Sequence, residues 1–112
     1  MELPDFLTNL PSIDSPIPAD VVRTSAIQSD RGMMVIFEFL KDFTLPPHSH
    51  KGQWGTVLEG AVVLTIGDET QTYTPGMSYN IPSGVVHSAT AKAGTKAIDI
   101  FEEPDRYALT VS

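Results

Sequence analysis

Three histidines give this chain its clearest capacity for chemistry: His48, His50 and His87 are the only histidines in the sequence. Imidazole is the commonest protein ligand of catalytic transition metals. Side chains two residues apart on a β-strand point to the same face, so a strand through His48 and His50 would direct both rings to one side. A second strand that carries His87 would then complete a metal site.

Short β-prone runs separated by turn residues fill the chain from Val21 onward. No window after Ser25 has apolar residues at the helical period, and closely spaced short strands are typical of an antiparallel sandwich or small barrel. The separators include Pro46-Pro47 and Pro82-Ser83-Gly84. The predicted strands are Val21–Gln28, Met33–Leu40, Trp54–Glu59, Ala61–Ile66, Thr70–Thr74, Ser78–Ile81, His87–Ala91, Ala97–Glu102 and Tyr107–Val111. We therefore predict one all-β domain over residues 21–112.

Residues 1–20 have a different character, because Pro4, Pro11, Pro16 and Pro18 interrupt short apolar groups. Each proline disfavours helix at the residue before it. We predict an extended N-terminal arm rather than a helix. The arm is too apolar for a free tail, so we expect it to lie along the domain or along a partner subunit.

Length and composition limit the classes of function. At 112 residues and 41% hydrophobic content, the chain is long enough for one globular domain. A formal charge of −7 argues against nucleic acid or an anionic membrane as a partner. The absence of cysteine excludes thiolate nucleophiles and Cys-ligated zinc. Residues 1–15 lack Lys, Arg and an apolar core, and no stretch could span a bilayer, so we expect a cytoplasmic protein.

Together, the two histidine segments resemble the two signature motifs of the cupin superfamily. Gly76, Pro82, Gly84 and His87 match the second motif in spacing. His48, His50 and Gly60 match the first motif.

The chain departs from the motifs at three positions and in one spacing. Asp42 replaces the opening glycine, Ala91 replaces the closing asparagine, and Gln53 stands where the family usually places a glutamate ligand. The spacer between His50 and Gln53 is one residue shorter than the family's shortest.

The resemblance implies an antiparallel jelly-roll barrel, a double-stranded β-helix, with one divalent transition metal per chain. It implies His48, His50, Gln53 and His87 as ligands, and Zn, Fe, Ni, Mn, Co and Cu are all candidate ions. Gln53 either binds the metal through its side-chain oxygen or hydrogen-bonds a metal-bound water. This neutral ligand set would leave the ion's charge uncompensated and favour anionic, chelating molecules.

Two further residues are candidate catalytic groups. Asp99 shares a strand face with Phe101, so an inward-facing Asp99 could act as a general base, and an outward-facing one would be solvated. Tyr79 either presents its hydroxyl to a substrate or packs in the core or at its rim. Four apolar residues are interpreted as packing residues or pocket wall: Trp54, Met77, Phe37 and Phe39.

Two functions remain open. The sequence has no serine nucleophile motif, phosphate-binding glycine loop or paired-carboxylate motif, which argues against the usual hydrolases and kinases. One hypothesis is a metal-dependent enzyme, a dioxygenase, isomerase or cyclase that acts on a small organic molecule. The alternative is a non-catalytic module that binds or senses a small ligand. In both cases we expect a homodimer, with the arm and Tyr107–Val111 as candidate interfaces.

Overall fold

A computed structural model describes residues 1–110 of the chain as a nearly all-β structure with one helical turn. In chain order its elements are α1 (Asp5–Thr8), β1 (Ser12–Asp14), β2 (Val22–Gln28), β3 (Met33–Phe39), β4 (Phe43–His48), β5 (Gln53–Glu59), β6 (Val62–Ile66), β7 (Glu69–Tyr73), β8 (Ser78–Ile81), β9 (His87–Ala91), β10 (Lys96–Phe101) and β11 (Ala108–Thr110).

Two antiparallel sheets form the barrel. The larger has the strand order β2-β3-β10-β5-β8, and the smaller has the order β4-β9-β6-β7. The alternating sequence explains the two faces of each strand, because successive side chains point to opposite sides. On β10, Ala97, Asp99 and Phe101 are buried, and Ile100 is exposed. The predicted all-β, antiparallel jelly-roll fold is confirmed.

The core consists of two apolar clusters. One is built around Met33, Val35 and Phe101, and the other around Val57 and Leu64. Phe39 packs against both clusters. The clusters bury the inner faces of both sheets, which holds the strands that carry the histidines in place.

Strand β4 contains the paired prolines that were predicted to separate strands, so that prediction was wrong. Pro46 and Pro47 lie where the pairing with β9 is irregular: Leu45 pairs with Ala89, and the next pair is His48 with His87. Proline has no N–H to donate, and it is tolerated in edge strands and bulges. Because β4 is an edge strand of its sheet, the chain can continue through both prolines.

The N-terminal arm contains one turn of helix, α1, where an extended arm was predicted. Pro4 restricts the residue before it but leaves Asp5–Thr8 free to turn, and Leu7 N–H donates to the Pro4 carbonyl at 2.9 Å. Farther along, β1 pairs with β11, and Ile13 is buried in the core. The arm therefore lies along its own domain.

The last predicted strand, Tyr107–Val111, is observed as Ala108–Thr110, and Val111 lies outside the described residues. Within residues 1–110, no helix is long and apolar enough to cross a membrane.

Candidate metal centre

The three histidines come from neighbouring parts of the smaller sheet. His48 is the last residue of β4, His87 is the first residue of β9, and the two are paired in register. His50 lies beyond the end of β4, so the prediction that His48 and His50 share a strand was wrong, and only His48 belongs to β4. The Gly84 N–H donates to the His50 carbonyl at 2.9 Å and ties this segment to the turn before His87.

Gly84 occupies a position that glycine favours. Its φ is +83°, in the left-handed region that other residues rarely adopt. This conformation closes the turn between Pro82 and Val85, whose N–H donates to the Pro82 carbonyl. The glycine and proline pattern seen in the sequence therefore positions both His50 and His87.

The three imidazole rings converge. The ring centroid of His87 lies 4.2 Å from that of His48 and 4.7 Å from that of His50, and the His48 and His50 centroids are 5.2 Å apart. One ring nitrogen of each histidine lies within 4.8 Å of the other two. Nitrogens bound at about 2.0–2.1 Å to a shared ion lie roughly 3 Å apart, so the rings would draw closer together on binding one.

Backbone carbonyls fix which nitrogen each ring offers. Nδ1 of His48 lies 3.0 Å from the Pro46 carbonyl oxygen, and Nδ1 of His87 lies 3.0 Å from that of Val85. Nδ1 of His50 lies 2.6 Å from the carbonyl oxygen of the next residue. A carbonyl can only accept, so each Nδ1 carries the hydrogen and each Nε2 is left with its lone pair.

The free nitrogens are partly or wholly shielded from water. Nε2 of His50 and Nε2 of His87 are buried without a hydrogen-bond partner among the described residues. Burial is the main cause that lowers the pKa of both rings. The rings are therefore held neutral, which is the protonation state that binds metal. The donor set and its orphaned nitrogens fit a transition-metal ion.

A hydrogen-bond network joins the other predicted site residues. Asp99 Oδ1 accepts from Tyr79 Oη at 2.7 Å and from Gln53 Nε2 at 2.8 Å. This bond uses one N–H of the Gln53 amide, and the amide oxygen and the second N–H are left for other partners. Asp99 is only 6% exposed, so of the two positions considered for it, the structure places it inside the barrel. The Tyr79 hydroxyl is committed to Asp99.

Burial raises the pKa of Asp99 to about 6, because the ionised form loses its water. The hydrogen bonds from Tyr79 and Gln53 act in the opposite direction and favour the carboxylate. Burial also raises the pKa of Tyr79, and the adjacent Asp99 charge adds to this effect. Asp99 is therefore the member of the pair that can ionise, and Tyr79 stays a neutral hydrogen-bond donor.

Gly55 makes this network sterically feasible, and no sequence motif indicates its role. It lies on β5 opposite Asp99 on one side and Tyr79 on the other. An added Cβ would lie 2.5 Å from the Tyr79 Cε1 and Cζ atoms. The tyrosine ring thus lies over the glycine to reach the carboxylate. Only the pairing of the three strands reveals this.

A cavity of about 80 Å³ lies between the sheets and includes the whole candidate site. Its polar lining consists of the three histidines with Gln53, Tyr79, Asp99 and the Tyr107 hydroxyl. Ile17 of the arm also contributes to the lining. Among the described residues that line it, none is Lys or Arg. Most of the remaining wall is aliphatic or aromatic, and it includes Phe37, Phe39, Phe43, Leu45, Leu64 and Phe101.

Phe37 and Trp54, two of the residues interpreted as packing residues or pocket wall, differ in their surroundings. Phe37 lines the cavity, in agreement with one of its two interpretations. Trp54 is 43% exposed and is neither core nor cavity wall. It lies on β5 between Gln53 and Gly55, which belong to the inner network, so alternation directs its side chain outward.

Arg106 is a residue near the site that the sequence did not indicate. Its guanidinium carbon lies 4.7 Å from the centre of the Tyr107 ring. Its positive charge contributes to the lowered pKa of His50 and of His87. No local motif marks Arg106, because it reaches the histidines only through the path of the chain after β10.

A family model described as a cupin domain matches residues 35–101, more than half of the chain. The chain belongs to the cupin family. No curated protein sequence matches this cupin.

Solved structures share the cupin fold. KdgF from Halomonas sp. is 24% identical, with a TM-score of 0.72 over 85% of this chain and 87% of that chain. An RmlC-like cupin from Shewanella frigidimarina is also 24% identical, with a TM-score of 0.72 over 86% of each chain. Oxalate decarboxylase from Bacillus subtilis, which has Mn(II) centres, is 19% identical, with a TM-score of 0.68 over 83% of this chain and 28% of that chain. At these identities the likeness shows the fold alone.

Proposed function

We propose that this cupin binds one divalent transition metal through His48, His50 and His87 and acts on a small anionic or chelating organic molecule. One observation carries the proposal: the three rings converge so that one nitrogen of each lies within 4.8 Å of the others, while each Nδ1 is held by a backbone carbonyl. A structural role for the three rings would not require orphaned nitrogens in a cavity. The Mn(II) centres of the oxalate decarboxylase that shares this fold support the proposal.

The cavity residues would have different roles in such a site. Gln53 would offer its amide oxygen to the ion, because its nitrogen is bound to Asp99. Asp99 would take or return a proton from a molecule in the cavity, and Tyr79 would hold the carboxylate in place by donating to it. A bound ion would act as a Lewis acid toward an oxygen atom of the ligand. Oxygenation, isomerisation and cyclisation are the reaction classes proposed.

Metal content tests the proposal directly. Elemental analysis of untagged protein purified without chelators should find about one equivalent of Zn, Fe, Ni, Mn, Co or Cu per chain. His48→Ala and His87→Ala should lose the ion and keep the fold by circular dichroism. Gln71→Ala, an exposed change on β7, serves as the matched control and should keep the ion. Protein that neither contains nor takes up a metal would contradict the proposal.

The second candidate is a non-catalytic module that binds or senses a small ligand. It is favoured by the hydrogen bonds that the Tyr79 hydroxyl and the Gln53 amide donate to Asp99, because they hold these three groups to one another rather than to a substrate. Turnover that is lost in Asp99→Asn, with ligand affinity kept, would support the enzyme. Tight binding with no turnover would support the module.

A homodimer is a further proposal, and the outer face of the larger sheet supports it. Ile27, Met34, Ile100 and Trp54 are successive cross-strand neighbours on β2, β3, β10 and β5. Ile27, Ile100 and Trp54 are each more than 40% exposed. An apolar row of this kind is typical of an interaction surface. The interface predicted from the sequence lay elsewhere, at the arm and the last strand. A cytoplasmic location also stays a prediction.

A further inference from the structure

We infer that the ligand of this site is a monoanion with a two-oxygen chelating head and a short apolar tail. The inference rests on the proposed function, because the metal would hold the head. An ion that accepts six ligands keeps open positions after three imidazoles and one amide have bound, and two oxygens of one molecule can fill them. The residues that line the cavity determine the polarity and the length of the tail that can bind.

The walls offer very few partners to a polar tail. Beyond the histidines, the polar groups are Gln53, Tyr79, Asp99 and the Tyr107 hydroxyl, and the first three are bonded to one another. A hydroxyl buried against Leu45 or Leu64 would lose its water without gaining a partner. A polyhydroxylated ligand is therefore disfavoured.

Charge also limits the ligand. Among the described residues that line the cavity, Asp99 carries the one carboxyl group, and no lysine or arginine is present to pair with an anion. A second carboxylate on the ligand would be buried without a counter-ion, and its repulsion from Asp99 would add to the penalty. The metal would bind the carboxylate of the head, and a second carboxylate on the tail would lie away from the ion, which favours a monoanion.

The size of the cavity limits the length of the tail. A single water needs roughly 10–15 Å³ by this measure, so the 80 Å³ cavity holds on the order of six water-sized groups. A 2-oxo acid head, with two carbons and three oxygens, would fill most of this volume, so a longer tail would lie along the apolar wall toward the opening of the cavity. The geometry thus favours short aliphatic ligands over sugar acids.

Matched 2-oxo acids test the inference on cobalt(II)-loaded protein. Three probes share the head and the carbon count and differ in the tail: 2-oxopentanoate, 2-oxoglutarate and 4,5-dihydroxy-2-oxopentanoate. Affinity is measured by calorimetry, and the visible absorption of cobalt(II) reports whether the head reaches the metal. We expect 2-oxopentanoate to bind about tenfold or more tightly than either polar analogue. Pyruvate, with the same head and almost no tail, monitors the metal site alone.

Wall variants connect this preference to the cavity. Leu64→Asn should remove most of the preference and leave pyruvate affinity within about twofold, because the tail rather than the head contacts this wall. Val63→Asn is the matched control, since Val63 is the adjacent residue of β6 and faces outward. Ala89→Ser adds a single hydroxyl to the wall and replaces Leu64→Asn if that variant does not fold.

The outcomes separate the two proposals. If the protein takes up no cobalt, the proposed function fails and the ligand inference fails with it. If cobalt binds and pyruvate perturbs its absorption, but 2-oxoglutarate or the dihydroxy acid binds as tightly as 2-oxopentanoate, only the ligand inference is overturned. If no 2-oxo acid binds to cobalt-loaded protein, the chelating head is refuted.

Discussion

Replacing Gly55 with alanine tests how the fold builds the polar end of the cavity. Gly55 separates Tyr79 of β8 from Asp99 of β10 along one row of the larger sheet. The new Cβ would lie 2.5 Å from two ring carbons of Tyr79, and closer still to Asp99 Oδ1. The ring and the carboxylate cannot both stay in place, so their hydrogen bond should break.

Two contributions set the size of the effect. Forcing an extra methyl group into a packed interior costs about 1–3 kcal/mol. Losing a hydrogen bond to a charged group costs about 1.5–3 kcal/mol. Allowing for relaxation of the strands, we expect the free energy of unfolding to fall by about 2–5 kcal/mol. For a domain of about this size, the melting temperature should drop by roughly 10 °C or more.

Thermal and urea unfolding of metal-free protein at neutral pH provide the measurement. Gly52→Ala is the matched control, because the three atoms nearest to its Cβ all belong to the Glu102 side chain, with Oε1 at 3.1 Å. The control should change stability by less than about 0.5 kcal/mol. Tyr79→Phe is made in both backgrounds, and its effect should be smaller in Gly55→Ala, where the hydrogen bond is already lost. A Gly55→Ala protein as stable as the wild type, or additive effects, would refute the reasoning.

Three further predictions follow from the site and the surface. The folded protein keeps a proton on Asp99 up to about pH 6, whereas an unfolded carboxyl loses it near pH 3.8. Between about pH 4 and pH 7 the free energy of unfolding of the wild type should therefore fall by about 3 kcal/mol relative to that of Asp99→Asn. Urea unfolding measures this difference, and a difference that does not change with pH would contradict the prediction. Zinc at about a hundredfold above its Kd should raise the free energy of unfolding of the wild type by about 2.7 kcal/mol and leave that of His87→Ala unchanged. Thermal unfolding measures both, and an equal rise in melting temperature in the two proteins would place the metal elsewhere. Light scattering should give about twice the 12.2 kDa chain mass for the wild type and the monomer mass for Trp54→Glu, and a monomeric wild type would rule out the homodimer.

Local patterns predicted the strands well where each strand is self-contained. Ser78–Ile81 and His87–Ala91 have the predicted bounds, because turn residues delimit them and neither prediction depends on a partner strand. Strand β4 was missed, since whether Pro46 and Pro47 fit in a strand depends on which side of the sheet is an edge. Helix α1 was missed because proline restricts the preceding residue and leaves the following ones free.

The primary sequence specified the three imidazoles and the turns that bring them together, because residue type and backbone freedom are local properties. Tertiary structure determined how the neighbours of those rings interact. Gln53 turns its amide nitrogen to Asp99, and Gly55 leaves space for the tyrosine ring that donates to the same carboxylate. These contacts join residues that are far apart along the chain. They follow from the pairing of β5 with β8 and β10, and no single segment encodes that register.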